Sequence, residues 1–265
     1  MHLGLIGYGT IAQALADLLT PETGVRRVTA LVRPGREPLV PSAIGAIPVF
    51  PVTEARALVG AAPDLVVECA GHEAVTAHVP PLLRSGIDVV VVSIGALADA
   101  GLEAALRKGA REGGARVVLP AGAVGGIDIL SALSGADAPR VRYTGTKPPH
   151  AWRGTPAEQA VDLSALTTAA TFFEGTAREA ARAYPRNANV AATLALAGPG
   201  FEATEVRLVA DPAASGNVHA FEAVSGDARV TMRIENQPSR NAKTSRSTIL
   251  SVLREIRNLQ GPMVI

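Results

Sequence analysis

Cysteine and lysine are scarce in this chain of 265 residues, and net charge is almost absent. The lone cysteine, Cys69, has no second thiol to pair with, which excludes a disulfide-stapled scaffold and fits a reducing compartment. A formal net charge of +1 offers no field to attract nucleic acid or an anionic membrane surface, so neither is an expected partner. No apolar run is long enough to span a bilayer, because the longest such region, residues 87–106, is interrupted by Asp88, Ser93, Asp99 and Glu103. No basic segment precedes the first apolar stretch, and glycines break that stretch, so no targeting segment is expected and the expected setting is cytoplasmic. His, Cys, Asp and Glu do not recur at metal-ligand spacing, so no metal is expected. There is no G-x-S-x-G elbow, and nothing pairs with Cys69 as a thiol nucleophile requires. The only lysines are Lys108, Lys147 and Lys243, the last two in unusual loops.

The remaining composition is that of a globular chain. Hydrophobic residues make up 48% and charged residues 18%, which excludes a disordered chain and supplies a sizeable core for one large or two modest domains.

The organising stretch is the N-terminus. A short apolar run, Leu3 to Ile6, ends in Gly7-Tyr8-Gly9-Thr10-Ile11-Ala12, after which Ile11, Leu15, Leu18 and Leu19 repeat at helical spacing. Strand, glycine turn and helix form the context in which G-x-G-x-x-G/A binds a dinucleotide. Gly7 allows the tight turn, Gly9 lets the backbone approach a pyrophosphate, and Ala12 keeps helix and strand close. Thr10 and Ile11 open the helix, whose first-turn N–H groups suit phosphate. Arg27 to Val32 reads as the second strand. Where an acid would bind the ribose 2′-hydroxyl of NAD, the chain has Arg33 and Arg36 and no carboxylate before Glu37. That pattern reads either as acceptance of NADP or as two surface arginines beside a turn.

Strands alternate with helices as far as residue 119. Residues 46–52, 64–68, 87–93 and 115–119 read as strands. Helices are expected over 72–84, broken or kinked at Pro80-Pro81, and over 102–111. This alternation predicts a doubly wound parallel sheet with ligands beyond its C-terminal strand ends. Cys69, Ala70 and Gly71 fall at such an end, with Cys69 itself most simply a small core residue. After residue 124 the rhythm changes. Arg140 to Thr146 reads as a strand that the prolines of Lys147-Pro148-Pro149-His150 stop. A mostly helical stretch is expected over 156–182 and an alanine-rich helix over 190–197. Three antiparallel strands are expected over 205–210, 217–224 and 228–235. A terminal helix with an apolar stripe of Ile249, Leu250, Leu253 and Ile256 needs a surface to cover it. The expected fold class is α/β: a Rossmann-type domain over residues 1–121, with a helix over 244–260 returning to it. An α+β domain over 122–243, with a mostly antiparallel sheet, would serve substrate binding, catalysis and dimerisation.

Four strings in this order, GYGTIA, LPAGAVGGIDIL at 119–130, YPRNANVAATLALAG at 184–198 and NQPSRNAKTS at 236–245, resemble the L-aspartate dehydrogenase family over essentially the whole chain. An HAFEA strand at 219–223 lies between the last two. The resemblance implies NAD(P)-dependent oxidation of L-aspartate to iminoaspartate, which feeds NAD biosynthesis or hydrolyses to oxaloacetate and ammonia, in a homodimer. It implies cofactor contacts at Ala123 and Asn189 and a catalytic role for His219. Ala242 departs from the family pattern, in which proline is expected.

Read on its own, His219 alternates with Phe221 and Ala223 on one strand face, a pattern that favours a satisfied sheet histidine, and only the resemblance turns the reading towards catalysis. As a catalyst it would have an ordinary pKa near 6.5, and kcat/KM would rise through that pH. His2, His72 and His78 have no evident claim on the substrate, and His150 is the fallback. Substrate carboxylates call for cationic or N–H donors, with Lys147, Arg153, Arg186 and Lys243 as candidates. Asn187 joins Lys147 and Lys243 as a substrate-binding candidate. Another Rossmann-type reductase acting on an imine or semialdehyde, or a non-catalytic NAD(P)-binding regulator, remains open at this point.

Overall fold

The computed structural model describes residues 1–135, 137–185, 187–237, 245–261 and 264. The chain divides into two compact units, Met1–Pro120 with Ile249–Ile265, and Ala121–Thr248.

The first unit is built on β1 (His2–Ile6), whose apolar residues are buried. The chain then follows α1 (Thr10–Ala16), β2 (Arg27–Leu31), β3 (Ala43–Ile44), β4 (Ile47–Val52), α2 (Ala55–Gly60), β5 (Leu65–Glu68), α3 (His72–Arg84), β6 (Asp88–Val91), α4 (Ala100–Gly113) and β7 (Val117–Val118). The strands lie in the order β3-β4-β2-β1-β5-β6-β7, all pairs parallel except β3 with β4. The chain winds outward from β1 in one direction through β2 and in the other through β5. The C-terminal ends of β1 and β5 are therefore the switch point at which such sheets leave a crevice. Strands β5 and β6 are β-branched runs covered on both faces, as central parallel strands must be.

Two details differ from the sequence expectation. Helix α3 runs through Pro80 and Pro81 without a break. Each proline removes one backbone donor, but Val75, Val79, Leu82 and Leu83 are buried along the helix and it packs on α4, which outweighs the loss. Helix α1 ends at Ala16, so Leu18 and Leu19 follow it in a turn.

The second unit contains α5 (Ile127–Ser134), β8 (Arg140–Lys147), α6 (Ala157–Ala160), β9 (Ala170–Thr176), α7 (Ala177–Ala183), α8 (Asn189–Ala197), β10 (Thr204–Ala210), β11 (Val218–Val224) and β12 (Arg229–Glu235). Residues 156–182 are not mostly helical. Thr171, Phe172 and Phe173 suit a pleated surface, and β9 pairs antiparallel with β10. Thr176 then caps α7: its hydroxyl accepts from the Glu179 amide, and the Glu179 carboxylate accepts from the Thr176 amide at 2.7 Å. The expected run of three antiparallel strands is also split. The order is β12-β11-β8-β10-β9, with β8 inserted between β10 and β11 and parallel to β10. Among the described residues, no helix is long and apolar enough to cross a membrane.

The last helix, α9 (Arg246–Asn258), carries Ile249, Val252, Leu253 and Ile256 into the core of the first unit, beside Leu3, Leu5, Leu15 and Val28. The buried stripe includes Val252 in place of Leu250, which is 46% exposed. Truncating Ile256 to alanine should therefore cost about 2–5 kcal/mol by opening a cavity. Leu250→Ala should stay within about 0.5 kcal/mol. Denaturant melts of the two variants check this, and equal losses would contradict the placement of the helix.

Candidate active site

In the first unit, Gly7 leaves β1 with φ +87°, and a Cβ there would stand 2.8 Å from the Ala70 Cβ. Only glycine combines that left-handed turn with so close an approach to the loop after β5. Gly9 is the opposite case, because a Cβ there would meet nothing within 4 Å. Both glycines face a cavity of about 680 Å³, lined also by Tyr8, Arg33, Arg36, Cys69, Ala70, Glu73 and His78. Thr10 and Ile11 begin α1 immediately after Gly9, and Gly71 caps α3 at φ +125°. Arg33 and Arg36 are exposed on the cavity rim, just past the end of β2.

The loop after β5 is held by a residue that sequence reasoning passed over. Glu68 is wholly buried. Its Oε1 accepts from the Ala70 and Gly71 amides, each at 2.8 Å, and from the Ser93 hydroxyl at 3.0 Å, while Oε2 accepts from the Ser93 amide at 3.0 Å. Four donors compensate a carboxylate that would otherwise be expensive to bury. The signal was an acid closing the apolar strand DLVVE. Cys69 beside it is buried, and burial together with the Glu68 charge pushes its thiol pKa up, so it stays a neutral packing residue. His78 also lines the cavity, although nothing in the sequence reading singled it out. Glu73, Ala74, Ala77 and His78 are helical neighbours along one face of α3, and that spacing, ahead of Pro80, brings His78 to the cavity.

In the second unit, the pleat of β8 turns Tyr143, Gly145 and Lys147 to one buried face. On the neighbouring antiparallel strand β11, His219 stands opposite Gly145 and Phe221 opposite Tyr143. The Tyr143 hydroxyl and His219 Nδ1 are 2.7 Å apart. Lys147 is only 9% exposed, donates to Asn187 Oδ1 and lies 5.1 Å over the Trp152 ring. Trp152 is itself locked by Nε1–H donation to the Val209 carbonyl at 3.0 Å. Among the described residues, no carboxylate comes within ion-pair distance of Lys147. Burial lowers the Lys147 pKa to about 8. Burial, reinforced by the Lys147 charge, lowers that of His219 to about 4. The imidazole is therefore neutral at ordinary pH, and its titration moves well below the value near 6.5 expected from sequence.

The other candidates lie apart from this cluster. His150 is exposed on the turn after β8, and Arg153 is exposed. His2 Nε2 pairs with the Thr29 hydroxyl at 2.8 Å within the first unit. Ala123 is buried, and its carbonyl accepts from Asn236. Asn189 opens α8, and its carbonyl accepts from the Thr193 hydroxyl at 2.9 Å. Arg186, Ala242 and Lys243 lie outside the described residues. Among the described residues, no group of three or more His, Cys, Asp and Glu could hold a metal ion.

A protein of Ruegeria pomeroyi named L-aspartate dehydrogenase is 45% identical over 260 residues, covering 97% of this chain and 92% of its own. The chain belongs to the L-aspartate dehydrogenase family. A relative of the same name from Pseudomonas aeruginosa is 43% identical over 97% of each chain. Residues 128–259 match the family model described as aspartate dehydrogenase, C-terminal, and residues 7–120 match that of the homoserine dehydrogenase NAD binding domain. The solved structure of aspartate dehydrogenase from Thermotoga maritima superposes with a TM-score of 0.78 at 28% identity, covering 100% of this chain and 99% of that one. An amine dehydrogenase from Mycobacterium smegmatis, at TM-score 0.59 and 15% identity, shares the fold.

The two glycines should separate in stability. Gly7→Ala forces an alanine into the left-handed region against Ala70 and should cost about 1–3 kcal/mol. Gly9→Ala meets open space and should change stability by no more than about 0.5 kcal/mol. Thermal melts of both variants without nucleotide test this; the reverse order would refute the turn geometry.

Proposed function

We propose that this member of the family oxidises L-aspartate with NADP or NAD, using His219 for proton transfer and Lys147 with Asn187 to bind a substrate carboxylate. The observation that carries the reading is the buried Lys147 ammonium. An unpaired buried cation is costly, and the amide oxygen of Asn187 and the π face of Trp152 offset only part of that cost. A carboxylate from outside completes the pairing.

The first unit's cavity fits a dinucleotide: Gly9 leaves the backbone bare where phosphate would lie, and Cys69, Ala70, Ala74 and Ala77 keep one side of the lining small. In this reading Gly7, Gly9, Thr10 and Ile11 receive the pyrophosphate, and Cys69, Ala70 and Gly71 bound the site. Ala123 and Asn189 are added on the family motif. The bound nicotinamide ring supplies the hydride acceptor. Oxidation takes a hydride from the substrate Cα and a proton from its nitrogen, and water then hydrolyses the imine to oxaloacetate and ammonia. Each proton needs an acceptor, and a neutral imidazole provides one. The homodimer and the cytoplasmic setting implied by the resemblance belong to the same proposal.

The deciding measurement is nucleotide absorbance on addition of L-aspartate, in wild type and His219→Ala. The variant should lose about 10²–10⁴-fold in kcat, while calorimetric affinity for the nucleotide stays unchanged. Wild-type kcat in a folded His219→Ala protein would remove the histidine from the mechanism. The pH profile carries a second signature. Since His219 is neutral above about pH 4, kcat/KM should rise through an apparent pKa below 6.5. Since Lys147 loses its charge above about pH 8, KM for aspartate should climb beyond that pH.

For the cofactor we favour NADP. No carboxylate stands at residues 31–36, and Arg33 and Arg36 border the cavity there. A charge-assisted contact to a 2′-phosphate is worth about 1.5–3 kcal/mol. Arg33→Ala should therefore raise KM for NADP about 10–150-fold and leave KM for NAD in place. Parallel shifts for both nucleotides, or none, would make Arg33 an ordinary surface residue.

A further inference from the structure

His219 has two ring nitrogens, and the protein occupies one of them. Nδ1 lies 2.7 Å from the Tyr143 hydroxyl. Among the described residues Nε2 has no hydrogen-bond partner, and no fully buried side-chain nitrogen or oxygen is left unpaired. Nε2 is therefore not fully sealed and keeps a small accessible edge, His219 being 5% exposed. The Tyr143 ring is only 1% exposed, and its plane differs from that of the imidazole by 19° at a centroid separation of 6.0 Å. The hydroxyl thus meets the imidazole from a side chain that packing prevents from moving.

This contact depends on what is missing between the two side chains. Gly145 lies directly across from His219 on the adjacent strand and two residues from Tyr143 on the same face. A Cβ at Gly145 would stand 2.6 Å from the Tyr143 hydroxyl oxygen and 3.1 Å from its Cζ. Real Cβ atoms do not make contacts that short, so any side chain at 145 would push the hydroxyl from its place. The glycine is needed here for the space it leaves, not for its backbone, since its φ is not left-handed.

We propose that Tyr143 is a positioning residue for proton transfer, its hydroxyl fixing His219 through Nδ1 so that protons exchange at Nε2, with Gly145 keeping the hydroxyl's place clear. The inference rests on the reading of His219 as the proton-transfer residue. A phenol oxygen suits the task because it can accept a hydrogen bond without carrying charge. For Nε2 to be bare and take a proton, the neutral ring must carry its hydrogen on Nδ1, so the phenol oxygen accepts from Nδ1–H and goes on accepting when Nε2 is protonated. Burial pushes the Tyr143 pKa up, which keeps the phenol neutral. A carboxylate in the same place would hold the ring but also stabilise the imidazolium. The hydroxyl orients the ring without adding charge, and the imidazole stays neutral beside Lys147.

The test compares Tyr143→Phe, Gly145→Ala and the double variant with His219→Ala. Tyr143→Phe keeps the ring and its packing and should fold as wild type does. Its kcat should fall about 3–10-fold, the size of one orienting hydrogen bond, with KM for the nucleotide unchanged. Gly145→Ala should reproduce that loss, and the double variant should lose little more, because both changes remove one contact. The independent readout is ¹⁵N NMR of His219 in the nucleotide-free protein. The tautomer protonated on Nδ1 should dominate in wild type, and a mixture should appear in Tyr143→Phe. If His219→Ala is inactive while Tyr143→Phe keeps wild-type kcat and an unchanged tautomer ratio, the positioning role falls and the histidine stands. If His219→Ala keeps wild-type kcat, the functional reading fails and takes this inference with it. A Tyr143→Phe protein that melts early with unaltered kcat and ¹⁵N spectrum would reduce Tyr143 to a packing residue.

Discussion

A positive charge held out of water sets the electrostatics of the second unit's buried face. Lys147 ends the central strand β8, where the pleat turns its side chain inward and the prolines that follow stop the strand. Among the described residues, the π face of Trp152 and the amide oxygen of Asn187 are what the fold offers that ammonium. The same burial that lowers the Lys147 pKa also lowers that of His219, and Lys147's charge lowers it further. The two groups are thus held in different protonation states near neutrality, one cationic and one bare.

The first unit handles a buried charge of the opposite sign differently. Glu68 is saturated by donors from its own loop and from Ser93, so it is spent on structure. It fixes the backbone that closes against Gly7, and the two loops at the switch point of the sheet are built as one piece. Both charges are buried, and among the described residues the carboxylate has four donors while the ammonium has one amide oxygen and a ring face.

Legibility from sequence followed the range of the interactions. The strand, glycine turn and helix at the N-terminus are local, and they stood out because the change from apolar run to helical spacing falls at Gly7-Tyr8-Gly9. The alternation of strands and helices as far as residue 119 was legible for the same reason. Strand β9 was missed because Ala169, Ala170 and the alanines after Thr176 suggest a helix; its partner β10 lies some thirty residues on and supplies the ladder. The insertion of β8 between β10 and β11 is a non-local choice with no marker in the strands themselves. In the site, Lys147 and His219 were legible as residue types, since lysine and histidine are rare in this chain. Tyr143 and Glu68 were not, because each reads as an ordinary member of its strand until the register across the sheet is known. Leu250 and Val252 exchange places for a similar reason: a helix gives a stripe of about the right width, and the surface it meets decides the edge.

The return of α9 has a consequence for the order in which the molecule is made. The core of the first unit includes Ile249, Val252, Leu253 and Ile256, separated by more than a hundred residues from the β1–β7 strands they cover. On a ribosome, that core remains open at one side while the whole second unit is being synthesised. Residues 121–248 are contiguous and have their own sheet, so the later unit can close first. The nucleotide-binding half, first to emerge, is last to be sealed. Until then its uncovered apolar surface is what a chaperone would recognise.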